Sequence, residues 1–312
     1  MTAKGAPKSI SITNCGKFEW VMVKKNDQRV LKYLKDKFGF AEIDLKDVGP
    51  PIQSPKIVYR ADYVFMVLQY PIFDKKTGRI HTAEIDFFIM DNRLVTVDVN
   101  EVPALQQLYK EMTVSKNLTK EAQTIPHLLY MLINSLIENT YPILRLMSGD
   151  IEEIEDTMFD NFGRNFIKNL LRVKTNIVRS RQSLQGHDEI MRKLRAHFDK
   201  YYKKHKKLDA YYGQLIDDTS DIKNRLLLKK ETIDALHETY QSLTEYRTNE
   251  IVKNLTIVSF IVFPLTLLAG VFGMNAINMP LVDHPWGFWI IVGIMLAGCT
   301  SMLAFFKYKK WM

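Results

Sequence analysis

Apolar and polar positions keep one rhythm over the first 115 residues and a different one afterwards. Lys17–Val23 and Lys56–Phe73 are dense in Val, Ile, Tyr and Phe and predict strands, and Arg79–Asp98 predicts two more, turned at Asp91-Asn92. Gln28–Gly39 and Glu101–Met112 show helical spacing, so this first part reads as a small α/β unit. From Thr124 to Leu255 the pattern becomes that of long amphipathic helices, broken only at Pro126, Pro142, Gly149, Gly163, Gly186 and Gly213. Beyond Gly213 nothing interrupts the helical pattern until Pro264, which predicts one helix from about Lys207 into the apolar region. At about 1.5 Å per residue that helix is roughly 90 Å long.

The last quarter changes character. Leu255–Phe272 is an apolar run of about 18 residues and Trp286–Phe306 another of about 21, each long enough to cross a bilayer. Gly273–Pro285, rich in Gly, Asn and Pro, separates them as a turn. The pattern predicts a helical hairpin in a membrane rather than two buried helices of a soluble protein. Lys253 precedes the first run and Lys307, Lys309 and Lys310 follow the second, whereas the connecting loop has neither Lys nor Arg. Positive flanks face the cytoplasm, so both termini are expected there and the loop outside. Trp286, Trp289 and Trp311 stand where interfacial aromatics belong.

Composition adds one thing to this picture. Charged residues make up 25% of the chain and the net charge is +8, yet Asp283 is the only formal charge between Asn254 and Phe306. The chain is soluble-like and then membrane-like. Cys15 and Cys299 are too few for a disulfide framework or a metal site. Met1–Lys17 has no long apolar core, so no secretory signal is expected. Two charge blocks punctuate the helices. Asp150–Asp156 holds five acids in seven residues, and Arg192–Lys207 holds eight Lys or Arg against Asp199. Each reads as a solvated helix face. Tyr201 and Tyr202 within the basic block suit nucleic acid, but attachment to a membrane hairpin argues against such a partner.

The first apolar run closes with Pro264-Leu-Thr-Leu-Leu-Ala-Gly-Val-Phe-Gly273-Met274-Asn275, followed by Met279-Pro280, and the chain ends Lys-Lys-Trp-Met. This resembles the signature of the CorA family of magnesium/cobalt transporters, in which Gly-Met-Asn closes the first transmembrane helix. Thr248-Asn249-Glu250, Asp44-Leu45-Lys46-Asp47, Gln53-Ser54-Pro55-Lys56 and Tyr63-Val64-Phe65 are similar to family segments, with Lys46 and Ser54 replacing Glu and Arg. The resemblance covers essentially the whole chain. It implies an α+β membrane protein with an N-terminal cytosolic α/β domain, long stalk helices and a C-terminal two-helix transmembrane hairpin, assembled as a homopentamer in the cell membrane around one axial pore. The expected divisions are a cytosolic α/β domain (1–122), a cytosolic helical hairpin region (123–206), a stalk helix continuing into the first span (207–272), an external loop carrying the filter (273–285), the second span (286–306) and a basic cytosolic tail (307–312).

The expected cargo is Mg²⁺, with Co²⁺ and Ni²⁺ as further candidates because their hexahydrates are similar in size. Mg²⁺ gives up its waters reluctantly. A ring of Asn275 amides with the Gly273 and Met274 carbonyls presents neutral acceptors to the hydrated ion, and Gly273 permits close backbone approach. Counting back from Gly273 in steps of three and four gives Gly270, Thr266, Phe263, Ser259, Thr256, Val252 and Asn249, a stripe small or hydroxylated except at two positions. Such stripes also serve helix–helix contact in lipid. Phe263 and Val252, with Leu255 nearby, are candidates for an apolar gate that dewets. Asn249 is a second hydrophilic ring and Glu238 a carboxylate ring at the cytosolic mouth. Lys307, Lys309 and Lys310 form a basic ring. Many relatives place Glu just after Met-Pro; Leu281 stands there, leaving Asp283 as the acid of the outer loop.

The resemblance also implies regulatory Mg²⁺ bridging subunits through Asp47 and an acid on the stalk. An ungapped match lands near Gln214, so Asp217, Asp218 and Asp221 are the candidates. The membrane potential can drive uptake: a divalent cation crossing about 100 mV gains roughly 4.6 kcal/mol. No phosphate loop, nucleophile elbow or paired metal-ligand spacing points to an enzyme, and no organic cofactor is expected. The competing readings are a zinc transporter of the same superfamily and a membrane-anchored scaffold or sensor that conducts nothing.

Overall fold

The computed structural model describes residues 7–15, 17–114, 124–159, 163–201, 206–274, 280, 284–309 and 311. Six strands, β1 (Ile10–Asn14), β2 (Glu19–Val23), β3 (Lys56–Tyr59), β4 (Val64–Asp74), β5 (Arg79–Ile89) and β6 (Arg93–Val97), form one sheet in the order β1-β2-β6-β5-β4-β3. Only β2 and β6 run parallel; every other neighbouring pair is antiparallel. Between β2 and β3 lie α1 (Gln28–Phe38) and the short α2 (Glu42–Lys46). The Asp27 side chain accepts from the Val30 N–H to start α1, and Gly39, at φ 73°, ends it in the left-handed conformation that glycine tolerates.

Three features depart from the sequence expectation. Lys56–Phe73 is two strands, turned where the Arg60 N–H donates to the Tyr63 carbonyl at 2.9 Å. Both strands carry the same residue types, so composition alone reads as one run. β1 is an edge strand of five residues and α2 a helix of five, each too short for periodicity to register.

The face of the sheet toward α1 and α2 holds a core of Val21, Val23, Phe65, Val67, Phe88, Val95 and Val97 under Val30, Leu34, Phe40 and Leu45. Phe40 stacks on Phe88 at 4.0 Å. On the other face Trp20 is fully buried, donates from Nε1 to Thr96 at 3.0 Å and meets the Tyr109 ring edge-on; Tyr109 belongs to α3 (Pro103–Val114).

The helical part follows as α4 (Ile125–Glu138), α5 (Tyr141–Thr157), α6 (Arg164–Ser183), α7 (His187–Tyr201), α8 (Lys206–Phe272) and α9 (Gly287–Tyr308). Pro126 and Pro142 sit in first turns, where their missing N–H costs nothing. Gly186, at φ 78°, turns the chain between α6 and α7, whereas Gly149 and Gly213 lie inside helices. α6 is tied to the sheet through Asn176, whose amide bridges the Ile80 N–H and the Gly78 carbonyl at 2.9 Å each. The lower part of α8 is held by Tyr212 donating to the Pro126 carbonyl at 2.9 Å and by the Lys223–Asp188 ion pair, also at 2.9 Å.

The chain divides into two units, Met1–Leu236 and His237–Met312. In the second, the end of α8 and all of α9 are long and apolar enough to cross a membrane. Among the described residues Ile257 and Phe306 are the buried large side chains there, and Phe260 meets Phe306 edge-on at 6.3 Å. Pro264 lies inside α8 and cannot donate to the carbonyl one turn back.

Candidate pore and metal-sensing residues

Within the second unit the covered face of α8 is narrow. Ile257 is buried, and Lys253, Ile261, Pro264, Leu265, Leu268 and Phe272 are partly covered. At 100° per residue these cluster on one side of the helix. Val252, Ser259, Phe263, Thr266 and Gly270 lie on the opposite side, with Thr256 and Asn249 on its flank; Ser259 and Thr256 are intermediate and the other five exposed. Leu255 is 66% and Phe263 70% exposed. Five of the seven stripe residues are thus exposed, as are Val258, Phe260, Leu267 and Val271 outside the stripe. Glu238 is likewise exposed.

The hydroxyls of the stripe are oriented by their own backbone. Thr256 donates to the Val252 carbonyl at 2.7 Å, Ser259 to Leu255 at 2.8 Å and Thr266 to Val262 at 2.9 Å. A hydroxyl has one proton, and each is spent inside the helix, so what these oxygens offer outward is lone pairs. Acceptors of this kind match the hydrogens of a hydrated cation's water shell.

The end of α8 explains Gly273. Its N–H donates to the Ala269 carbonyl at 2.9 Å, and the Met274 N–H donates to Val271 at 3.3 Å. A Cβ on residue 273 would stand 2.9 Å from the Ala269 oxygen, inside van der Waals contact, so any larger residue must displace the helix end. Met274 is exposed. Asn275, Asp283 and Lys310 lie outside the described residues. Lys307 and Lys309 are exposed at the end of α9 and just beyond it.

The acids expected to bind regulatory Mg²⁺ occupy two places in the first unit. Asp47 caps the end of α2 and pairs with Lys56 at 2.6 Å. Around it, the family-like segments form a clamp that periodicity could not reveal. Asp44, 2% exposed, accepts from Arg60 Nη2 at 2.6 Å, from Arg60 Nε at 2.9 Å and from the Tyr63 hydroxyl at 2.6 Å. Burial pushes its carboxyl upward, but the Arg60 and Tyr63 hydrogen bonds outweigh this and hold it below its usual range. Glu84 accepts from the Gly49 and Gln53 N–H groups and so pins the loop between Asp47 and Lys56. Burial raises the Glu84 carboxyl, and burial next to Glu84 raises that of Asp86 strongly. Sequence reasoning missed both; acids alternating inside an apolar strand at Glu84-Ile-Asp86 were the available signal.

Asp217, Asp218 and Asp221 share one stretch of α8. Asp218 is raised by burial and further by Glu138, Asp217 and Asp221, against a lowering bond from Gln214. Asp221 also pairs with Arg225 at 2.7 Å. Among the described residues no group of three or more His, Cys, Asp or Glu is positioned to hold a metal within one chain. Asp47 and the stalk acids are not brought together by an ion pair or hydrogen bond in the single chain.

A family model described as "CorA-like Mg2+ transporter protein" matches residues 16–310. The chain belongs to this family. It is 23% identical over 283 residues to the cobalt/magnesium transport protein CorA of Thermotoga maritima, covering 91% of this chain and 80% of that protein. The complete structure of the CorA magnesium transporter from Methanocaldococcus jannaschii superposes with a TM-score of 0.80 at 21% identity, over 95% of this chain and 92% of that one. The soluble α/β part, the long helix and the two C-terminal apolar helices are thus the CorA fold. The ZntB cytoplasmic domain from Vibrio parahaemolyticus is similar over 74% of this chain, with a TM-score of 0.62 at 9% identity. That likeness is one of fold alone.

Proposed function

We propose that this CorA-family chain assembles as a homopentamer in the cell membrane, with cytoplasmic termini, and conducts hydrated divalent cations inward, Mg²⁺ first and Co²⁺ and Ni²⁺ as further cargoes. The observation that carries the reading is the open face of α8. Asn249, Thr266 and Gly270 are exposed and Thr256 and Ser259 partly so, and the hydroxyls of Thr256, Ser259 and Thr266, each donating within the helix, present acceptors outward. Copies of that face around one axis make a pore lined by lone pairs, interrupted by apolar rings at Phe263 and Val252, with Leu255 beside them. Those rings close the path by excluding water.

Gly273, Met274 and Asn275 form the filter. Amide and carbonyl oxygens are neutral, so they attract the ion's water shell without stripping it or holding it permanently. Asp283 concentrates cations outside, and Glu238 does so at the cytosolic mouth, with Lys307, Lys309 and Lys310 as a basic ring. Mg²⁺ bound by Asp47 and one of Asp217, Asp218 or Asp221 across subunits favours the closed state, and its loss shifts the population toward open states.

The deciding experiment is flux into liposomes containing the purified chain, comparing Mg²⁺, Co²⁺, Ni²⁺ and Zn²⁺ under an inside-negative potential. Potential-dependent Mg²⁺ entry is expected. Selective Zn²⁺ entry would favour the zinc reading, and no entry of any cation the non-conducting scaffold.

A further inference from the structure

The first unit carries a second charged feature that the pore does not use. Between the β4–β5 hairpin and α6 lies a groove of about 910 Å³ with Arg79, Lys168, Arg172 and Arg179 on its walls and no carboxylate among its lining residues. Two of the cations are structural: Arg179 donates to the Ile80 carbonyl at 3.0 Å, and Arg172 to Gly78 at 3.3 Å and to Asp150 at 3.4 Å. Arg79 and Lys168 make no ion pair among the described residues, and both are exposed. Ile167 and Leu171 stand exposed at the same groove.

We propose that this groove binds a soluble nucleoside polyphosphate, and binds it best when the polyphosphate is free of metal. Guanidinium groups match phosphate oxygens in planar, paired hydrogen bonds, and a lysine adds a mobile point charge. The apolar pair offers a wall for a base or sugar, which inorganic phosphate lacks. The volume is in the range that holds a whole nucleotide. With four cations and no carboxylate in the lining, affinity follows the ligand's charge. Mg²⁺ on a polyphosphate removes two negative charges and occupies the oxygens that the guanidinium groups would take. The metal-free form accumulates when Mg²⁺ is scarce, so occupancy of the groove reports Mg²⁺ shortage to the soluble unit. The site is independent of whether the chain conducts.

The test is calorimetric titration of the full-length chain in detergent with ATP in EDTA, repeated with excess Mg²⁺, with adenosine and with inorganic phosphate. Saturable binding of metal-free ATP is expected, weakened about tenfold by Arg79→Gln with Lys168→Gln and unchanged by Lys110→Gln. Both Gln substitutions fall on exposed side chains, and the single Lys168→Gln variant serves if the double one melts early. Equal affinity in the double variant, tighter binding of the Mg²⁺ complex, or equal binding of inorganic phosphate would overturn the proposal. Because no flux is measured, its failure leaves the transport reading untouched, and the reverse also holds.

Discussion

His187 sets the acid sensitivity of the joint between the sheet and the helices. It opens α7, is 2% exposed, accepts from the Gln69 N–H through Nε2 at 3.4 Å and meets the Tyr70 ring edge-on at 5.1 Å. Burial pulls its pKa from 6.5 down to about 3; Asp188 opposes this and Lys223 adds to it. A histidine depressed in the folded state contributes fully above its unfolded pKa, and that contribution is lost as pH falls, because the unfolded chain takes up a proton that the folded chain refuses. At pH 5 the imidazole of the unfolded chain is largely protonated while that of the folded chain is not. At 1.36 kcal/mol per pH unit, the penalty is about 2 kcal/mol relative to pH 7.5. The measurement is urea unfolding of the full chain in detergent, followed by tryptophan emission at the two pH values, for wild type and His187→Gln. Glutamine still accepts a hydrogen bond and does not titrate in this range. Raised carboxyls such as Glu84 and Asp86 push the other way but are common to both proteins, so the difference between the two pH effects isolates the histidine. Identical pH dependence in the two proteins would refute the reasoning.

Three further outcomes concern transport. Asn275→Ala should reduce Mg²⁺ flux at least about tenfold in an intact assembly, because a methyl group cannot accept from the ion's water shell; wild-type flux from a correctly assembled variant contradicts the filter. Phe263→Ala and Val252→Ser should each raise flux at high internal Mg²⁺ by admitting water to the apolar rings; if both conduct less than wild type in every condition, the stripe faces elsewhere. If Mg²⁺ protects the first unit against proteolysis as the proposed regulation requires, Asp47→Ala combined with Asp217→Ala and Asp218→Ala should blunt that protection and let flux persist at high internal Mg²⁺. Unchanged protection and feedback remove these acids from the mechanism.

What could be read from the sequence was what is periodic or compositional. The continuous helix through Lys206–Phe272 follows from an unbroken pattern, and both apolar spans follow from the near absence of charge. The clamp of Asp44, Arg60 and Tyr63 was not legible, since its residues come from α2, the β3–β4 turn and the start of β4, and meet only through the fold. Nor was the partner of Asp47. An acid in a family-like motif reads as a ligand, whereas here it already holds Lys56.

That ion pair bears directly on how a regulatory Mg²⁺ would act. An exposed Lys–Asp pair is worth at most about 1 kcal/mol, and this one is about one-third exposed on both sides. A divalent cation that takes the Asp47 carboxylate loses little by displacing Lys56. The stalk acids supply the opposite half of the balance. Burial raises the Asp218 carboxyl, and the nearby Glu138, Asp217 and Asp221 raise it further. A cation arriving there relieves repulsion that the apo protein must carry. On the proposed reading the site would be weak in the single chain and strengthen only where a neighbour brings Asp47 to the stalk, since Mg²⁺ prefers to keep several waters and takes just one or two carboxylates. Such weakness would be the useful property, because a regulatory ion must leave as internal Mg²⁺ falls. Replacing Lys56 with Met should then tighten regulatory Mg²⁺ by freeing Asp47, moving half-maximal protease protection to lower Mg²⁺ by up to about fivefold. A shift to higher Mg²⁺ would show instead that Lys56 organises the loop around Asp47 rather than competing for it.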